Sequence, residues 1–402
     1  MKIVHIMMAC SYVEGMGYQE NILPKKHKEL GLDVSIITSQ YVLFQEGKKT
    51  RECGVYINNN GIEVTILPFS KWHHSKSTFF MRFAFLARRY SGLLKTLDVM
   101  APDIIFIHGL QSIDTLDVVK YKKRHPNIKI YVDQHGDYYN MPIKGFSGFL
   151  IQKVLYAMIA NRISKCSEIL WGVTPWRVQY LKEVYRIPFE KTGFLPMGGD
   201  EFLIDFENKD SIRKRIREKH QINHTDFLLV TGGKIDQTKN IDLLMQAVCE
   251  LKRTDIKLLI FGKPNEEMAG PIDMLSNSCN QIVLAGWISP EESYNYFLAS
   301  DLGVFPGTHS VLWEQAISTG LPCLFRHWEG MEHVDIGGNA ILMDEPINDQ
   351  QKYKCMIMDL IRTLSDKKED YVQMKYISET KGVKTFSYRE IAKRSIQLEG
   401  VL

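Results

Sequence analysis

Residues 301–325 read DLGVFPGTHSVLWEQAISTGLPCLF, and this stretch decides the fold. A short apolar run ends on Pro306 and Gly307, a helical pattern carries Glu314 near its start, and a second apolar run opens after Gly320. Strand, helix and strand in such close succession form a βαβ unit, whose two strands run parallel because the helix returns the chain to the same edge.

The same grammar extends outward in both directions. KIVHIMM, DVSIIT, EVTILPF, DIIFIHG, IKIYVDQ and EILWGVT punctuate the first half, and FLLVTGG, IKLLIFG and QIVLAGW precede the quoted stretch in the second. Connections of helix length separate them, which is the signature of doubly wound parallel sheets. With 402 residues the chain is too long for one core. Pro196 and the MGGDE that follows break the rhythm, so a hinge is expected near residues 196–210. The expectation is an α/β protein of two Rossmann-like domains facing a cleft, residues 1–200 and 201–384. Ligands in such sheets bind beyond the carboxyl ends of the strands. Gly15 to Gly17, His108, His135, Gly232 to Lys239, Gly262 and Pro306 to Glu314 collect there.

Composition excludes several classes. Hydrophobic residues make up 45% and charged residues 24%, which does not fit a disordered chain. The greasiest segment, GFSGFLIQKVLYAMIA, is interrupted by Gln152 and Lys153, so no membrane span is expected. The opening MKIVHIMMAC carries His5 inside its apolar run and reads as a buried strand rather than an export signal. Seven cysteines, scattered singly, show neither a disulfide framework nor a metal-ligand spacing, which suits a reducing, cytoplasmic compartment. Residues 1–200 hold 26 Lys and Arg against 17 Asp and Glu, a charge of +9, whereas residues 201–402 hold 24 against 30, or −6. A basic half suits an anionic partner as well as a merely solvated surface.

The motif TGGKIDQTKNIDLL is the most informative for chemistry. A strand is expected to close on Gly232 and Gly233 and a helix to open near Asn240. Glycines admit close backbone approach, the helix start favours an anion, and Lys234 and Lys239 add two cations five residues apart. That describes a diphosphate seat, although a glycine-rich turn between solvated lysines has the same local pattern. No GK[ST] follows, so it is not a P-loop. In SYVEGMGYQEN, Glu20 occupies the third glycine position of a dinucleotide fingerprint, and Pro24 is expected to delay the helix, which argues against a nicotinamide cofactor.

Taken in order, FLPMGGDEF, GGKIDQTKN, SVLWEQAISTGLPCLF and EHVDIGGNAILMD resemble the retaining GT-B glycosyltransferases of family 4, of the bacterial envelope or capsular polysaccharide type. The resemblance covers nearly the whole chain. It implies transfer of a hexosyl or N-acetylhexosaminyl group from a nucleotide sugar, most simply a UDP-sugar, to a saccharide or lipid-linked acceptor. In that family an Arg and a Lys five residues apart grip the donor diphosphate. Lys234 takes the Arg position, which keeps the charge and loses the bidentate fork, and Lys239 takes the other. The second glutamate of a paired motif, which hydrogen-bonds the donor ribose, matches Glu314. The first would stand at residue 306, where this chain has Pro306, and Thr308, His309 or Ser310 could replace it.

The resemblance further implies that His135 faces the donor sugar, that Gly17 lets the first domain approach the donor phosphate, and that Gly233, Gly262 and Ile288 line the donor site. Lys234, Lys239 and His135 are then the candidate catalytic residues, although a strand-end histidine is commonly structural. His108 is a weaker case of the same kind. The closing helix, 385–402, is expected to cross back onto the first domain. With no DxD pair in the chain, metal-independent transfer is expected. A non-hydrolysing nucleotide-sugar epimerase and a non-catalytic nucleotide-sugar binding protein are the competing readings. An epimerase would need acid–base carboxylates around the ring, which the absence of an acid at Pro306 disfavours.

On the acceptor side, FFMRFAFLARRYSGLLKTL, residues 79–97, shows helical periodicity. Phe79, Phe80, Phe83, Leu86, Ala87, Tyr90, Leu94 and Leu97 are expected to form a buried stripe. Phe85 would then stand among Arg82, Arg88 and Arg89, either as a lone surface aromatic or as a wedge that dips into an anionic membrane face.

Overall fold

The computed structural model describes every residue except Ser11, Gln45, Glu46, Pro142, Lys144, Glu345, Ile347, Asn348, Lys367, Lys368 and residues 399–402. The chain divides into two compact units, residues 1–196 with 392–402, and residues 197–391. Both are α/β.

The first unit is built on an eight-stranded sheet. Its spatial order is Thr192–Phe194, Ile169–Gly172, Lys129–Gln134, Ile104–His108, Lys2–Met7, Asp33–Ser39, Glu63–Leu67 and Gly54–Ile57. Only the last pair is antiparallel. The central strands are buried along their length, which explains why they read as unbroken apolar runs instead of alternating ones. At the end of the chain Ser395 accepts a hydrogen bond from Trp171 Nε1 through its carbonyl (2.8 Å), so residues 392–398 are held within this unit.

The second unit holds a six-stranded parallel sheet in the order Ile282–Gly286, Ile256–Pro264, Phe227–Ile235, Leu302–Phe305, Cys323–Arg326 and Ala340–Met343. Successive residues of its first strand point to opposite faces. Leu229 packs with Leu258 and the helix Ile241–Glu250, while Leu228 and Val230 pack with Phe297, Phe305 and Trp313. The chain runs outward from Phe227–Ile235 in one direction, then returns to its other side at Leu302–Phe305. This reversal is the topological switch point, where ligands of doubly wound sheets bind.

Four expectations need correction. The sequence 79–97 is not one helix. Helix Thr78–Leu86 stops, Arg88 (φ 47°) and Gly92 (φ 100°) turn the backbone left-handed, and a separate helix spans Leu93–Met100. Tyr90 and Leu97 are buried as expected, but Phe79, Phe80 and Leu86 are exposed beside Phe85. Arg89 is tied to Asp114 at 2.6 Å. Helix Gln19–Glu29 accommodates Pro24 in its interior instead of waiting for it. The strand expected to end at Gly233 continues to Ile235. Finally, Cys249 and Cys279, thirty residues apart, pair as a disulfide that the scattered spacing did not suggest.

Candidate functional site

At the switch point of the second unit, two loops lie side by side beyond the paired strands Phe227–Ile235 and Leu302–Phe305. Thr308 N donates to Thr238 O (2.9 Å), the two threonine hydroxyls meet at 3.1 Å, and Asn240 Nδ2 donates to Pro306 O (3.0 Å). The contact demands a glycine at 307, because a Cβ there would collide with the Lys239 backbone. Asn240 adopts a left-handed conformation (φ 51°) just before helix Ile241–Glu250, which Asn tolerates better than most residues other than glycine.

Lys239 joins the loops. Its ammonium donates to Thr308 O at 2.8 Å and reaches His309 O at 3.4 Å. Burial pushes its pKa down, which nearby Asp236 opposes and Lys234 reinforces. Lys234 is held more loosely: three-quarters exposed, it sits 3.4 Å from Asp236 Oδ2. Of the two cations read from the sequence, one is built into the framework and the other is free to reach solvent.

Glu314, the third residue of helix Leu312–Ser318, is fully buried. His309 Nε2 and His333 Nε2 both lie 2.9 Å from its Oε1. Burial pushes the carboxyl up, but the charge and hydrogen bonds of His309 and the hydrogen bond of His333 outweigh it and hold the pKa down at about 2. Oε2 has no hydrogen-bond partner among the described residues. His333 was not singled out from sequence, although it stands inside the EHVDIGGNAILMD motif. The only signal would have been an imidazole within an otherwise apolar and acidic run.

The remaining predicted positions separate. Gly233 (φ 104°) packs against Leu312, and Gly262 (φ 116°) pairs with it across the sheet. A Cβ on Gly262 would collide with the Gly233 carbonyl, so this glycine is required by strand packing. Ile288 is half-buried against the core that holds Trp313. Ser310 is half-buried at the start of the Glu314 helix, and its carbonyl accepts from Trp313 N. The Pro306 carbonyl accepts from Tyr353 as well as Asn240.

Gly17 and His135 belong to the first unit. Gly17 is half-buried in the loop before helix Gln19–Glu29. His135 follows strand Lys129–Gln134 and lies 3.4 Å from Asp133 Oδ1. Burial lowers its pKa, but Asp133 overcomes this and raises it. His108 is fully engaged: Nδ1 meets Asp133 Oδ2 at 2.8 Å and Nε2 meets His5 at 2.9 Å. His5 continues to His27 (3.0 Å), whose other nitrogen meets Ala392 O and Ser395 Oγ at 3.1 Å. This buried chain makes His108 a structural group.

Two α/β units with these parallel sheets define the GT-B fold, the architecture of a large class of glycosyltransferases. Residues 212–381, within the second unit, match the family model for glycosyl transferases group 1. The chain is 23% identical over 233 residues to the lipopolysaccharide 1,2-N-acetylglucosaminetransferase of Salmonella typhimurium, a stretch that spans 54% of this chain and 58% of that protein. Among solved structures it resembles WaaG, a glycosyltransferase involved in lipopolysaccharide biosynthesis (16% identity, TM-score 0.63, 99% of this chain and 100% of that one). It also resembles UDP-GlcNAc 2-epimerase from Neisseria meningitidis bound to UDP-GlcNAc (14% identity, TM-score 0.60, 99% and 100%). At these identities the two structures establish the fold alone.

Proposed function

We propose that the chain is a glycosyltransferase that moves a sugar from a nucleoside diphosphate sugar, with UDP as the favoured carrier, to a saccharide or lipid-linked saccharide in envelope polysaccharide synthesis. The observation that carries this is the Lys239 seat: a half-buried ammonium and a glycine-rich strand end at the switch point, with a buried ionised carboxylate nearby, all inside the region that matches group 1 glycosyltransferases. Breaking a glycosyl–phosphate bond builds negative charge on the departing diphosphate, and fixed cations stabilise it more in the transition state than in the ground state. In this reading Lys239 supplies the fixed charge, Lys234 swings onto the outer phosphate, and Glu314 Oε2 accepts from a ribose hydroxyl. The resemblance adds retention of configuration and a sugar-facing role for His135.

The second unit would hold the donor and the first the acceptor. On the first unit a cavity of about 510 Å³ is lined by apolar side chains such as Phe149, Val154 and Met158, with Lys153, Arg186 and the carboxylate of Glu183 among them. Exposed Phe79, Phe80, Phe85 and Leu86 are on the same unit with exposed Arg82, and Tyr156 OH donates to Leu86 O (2.7 Å), which ties helix Thr78–Leu86 to the helical segment Leu150–Tyr156 beside the cavity. Such a surface suits peripheral contact with an anionic membrane that carries a lipid-linked acceptor. No helix among the described residues is long and apolar enough to cross a bilayer.

Incubation with UDP-sugars tests the proposal. Release of UDP that depends on added acceptor is expected. Conversion of the sugar without acceptor would make it an epimerase, and tight binding with no turnover across a broad panel would make it a binding protein.

A further inference from the structure

His309, Glu314 and His333 bring three metal-competent atoms together from three separate parts of the second unit: the loop after strand Leu302–Phe305, the helix that follows it, and the short turn Glu332–Val334. Each offers one ligand atom, and all three atoms lie within 4.8 Å of one another. The side chains are 9%, 0% and 3% exposed. Both imidazole Nε2 atoms converge on Oε1, and Oε2 is buried with no hydrogen-bond partner among the described residues.

We propose that His309, Glu314 and His333 form a binding site for one divalent transition-metal ion of the zinc class. Two imidazoles and a carboxylate are the donor set that zinc takes when its fourth position stays open. With bonds of about 2.0–2.1 Å, neighbouring ligands of a tetrahedral ion stand about 3.3 Å apart, so the two 2.9 Å separations to Glu314 need to widen by about 0.4 Å, and the two imidazole nitrogens, within 4.8 Å of each other, need to take the same spacing. A hard ion such as magnesium prefers oxygen ligands and is not expected here. The other histidine–carboxylate group, His108, Asp133 and His135, belongs to the first unit, so a variant of His108 serves as the control.

A consequence rests on the reading that Glu314 anchors the donor ribose. Metal and nucleotide would then compete for one carboxylate, so zinc would inhibit transfer although transfer itself needs no metal.

The test titrates zinc alone into the EDTA-stripped, dialysed chain, with calorimetry and metal analysis as readouts. One high-affinity ion per chain is expected. His333→Val should weaken that affinity by more than the roughly 100-fold upper range seen for second-shell losses, because a direct ligand is removed. His108→Gln should leave it unchanged. Circular dichroism identifies any variant that fails to fold, and His309→Gln then serves in place of His333→Val. Absence of a saturable site in the wild type, or wild-type affinity in the folded ligand variant, overturns the proposal. UDP affinity is then compared with and without one equivalent of zinc, in wild type and in His333→Val, so that chelation by UDP itself cancels. Loss of affinity confined to wild type supports the competition. A metal site that leaves UDP binding untouched keeps the site and removes Glu314 from the ribose.

Discussion

Lys239→Met removes a cation that the fold itself fixes at the proposed diphosphate seat, while it keeps most of the apolar stem. In the structure the ammonium spends its hydrogen bonds on Thr308 O and, more weakly, on His309 O, which leaves a donor for a phosphate oxygen. A charge-assisted hydrogen bond contributes about 1.5–3 kcal/mol. At about 1.4 kcal/mol per factor of ten, its loss weakens UDP binding by about 10- to 140-fold. Lys234 provides the internal comparison. Its ammonium is three-quarters exposed and only 3.4 Å from Asp236, so water already competes for it. Exposed pairs contribute up to about 1 kcal/mol, and Lys234→Met should cost no more than about fivefold. Calorimetry with UDP measures both, and thermal unfolding separates affinity from folding, since freeing the Thr308 carbonyl also loosens the loop. Wild-type affinity in a folded Lys239→Met chain would refute the diphosphate seat, and a larger loss from Lys234→Met would reverse the assigned roles.

Four further outcomes are expected. Burial lowers the His27 pKa from 6.5 to about 4, so the folded state resists protonation that the unfolded chain accepts. The associated stability is present above pH 6.5 and is lost as pH falls towards 4, by about 3 kcal/mol at 1.36 kcal/mol per pH unit; urea unfolding at pH 7 and pH 4.5 reads this, and a flat profile would contradict it. Gly262→Ala should destabilise by more than the about 1–3 kcal/mol typical of overpacking, because the new methyl meets a backbone carbonyl that cannot rotate away, and a normal unfolding midpoint would argue against the strand pairing. Transfer activity should survive excess EDTA, with lysines in place of a cation on the phosphates; dependence on magnesium or manganese would mean that the seat is misassigned. Wild type should sediment with anionic vesicles at low salt and release at high salt, while Phe80→Ser with Arg82→Glu should stay in the supernatant, as each basic group near such a surface contributes about 1 kcal/mol.

The sequence by itself determined the strands, because parallel strands covered on both faces must be apolar throughout and leave runs such as IIFIH and LLV with turn residues at their ends. It also offered Lys234, Lys239 and Glu314 as candidates, since they sit at strand and helix ends that the βα rhythm places on one edge. Helix periodicity in FFMRFAFLARRYSGLLKTL was misleading, because a left-handed Arg88 and Gly92 break the helix where local pattern shows no breaker but glycine. Periodicity reports which residues share a face, not whether that face meets a core, and Phe79 and Phe80 face outward. Only the tertiary structure decided what each polar group does. It brought His333 to Glu314 across 19 positions, seated Lys239 on the carbonyls of a loop about 70 residues away, and engaged both nitrogens of His108 in a buried chain. Short-range rules govern the backbone, and they reach only a few residues along the chain. The partners of a buried charge are chosen by three-dimensional packing, where low dielectric makes an unpaired group costly and distance in sequence counts for nothing.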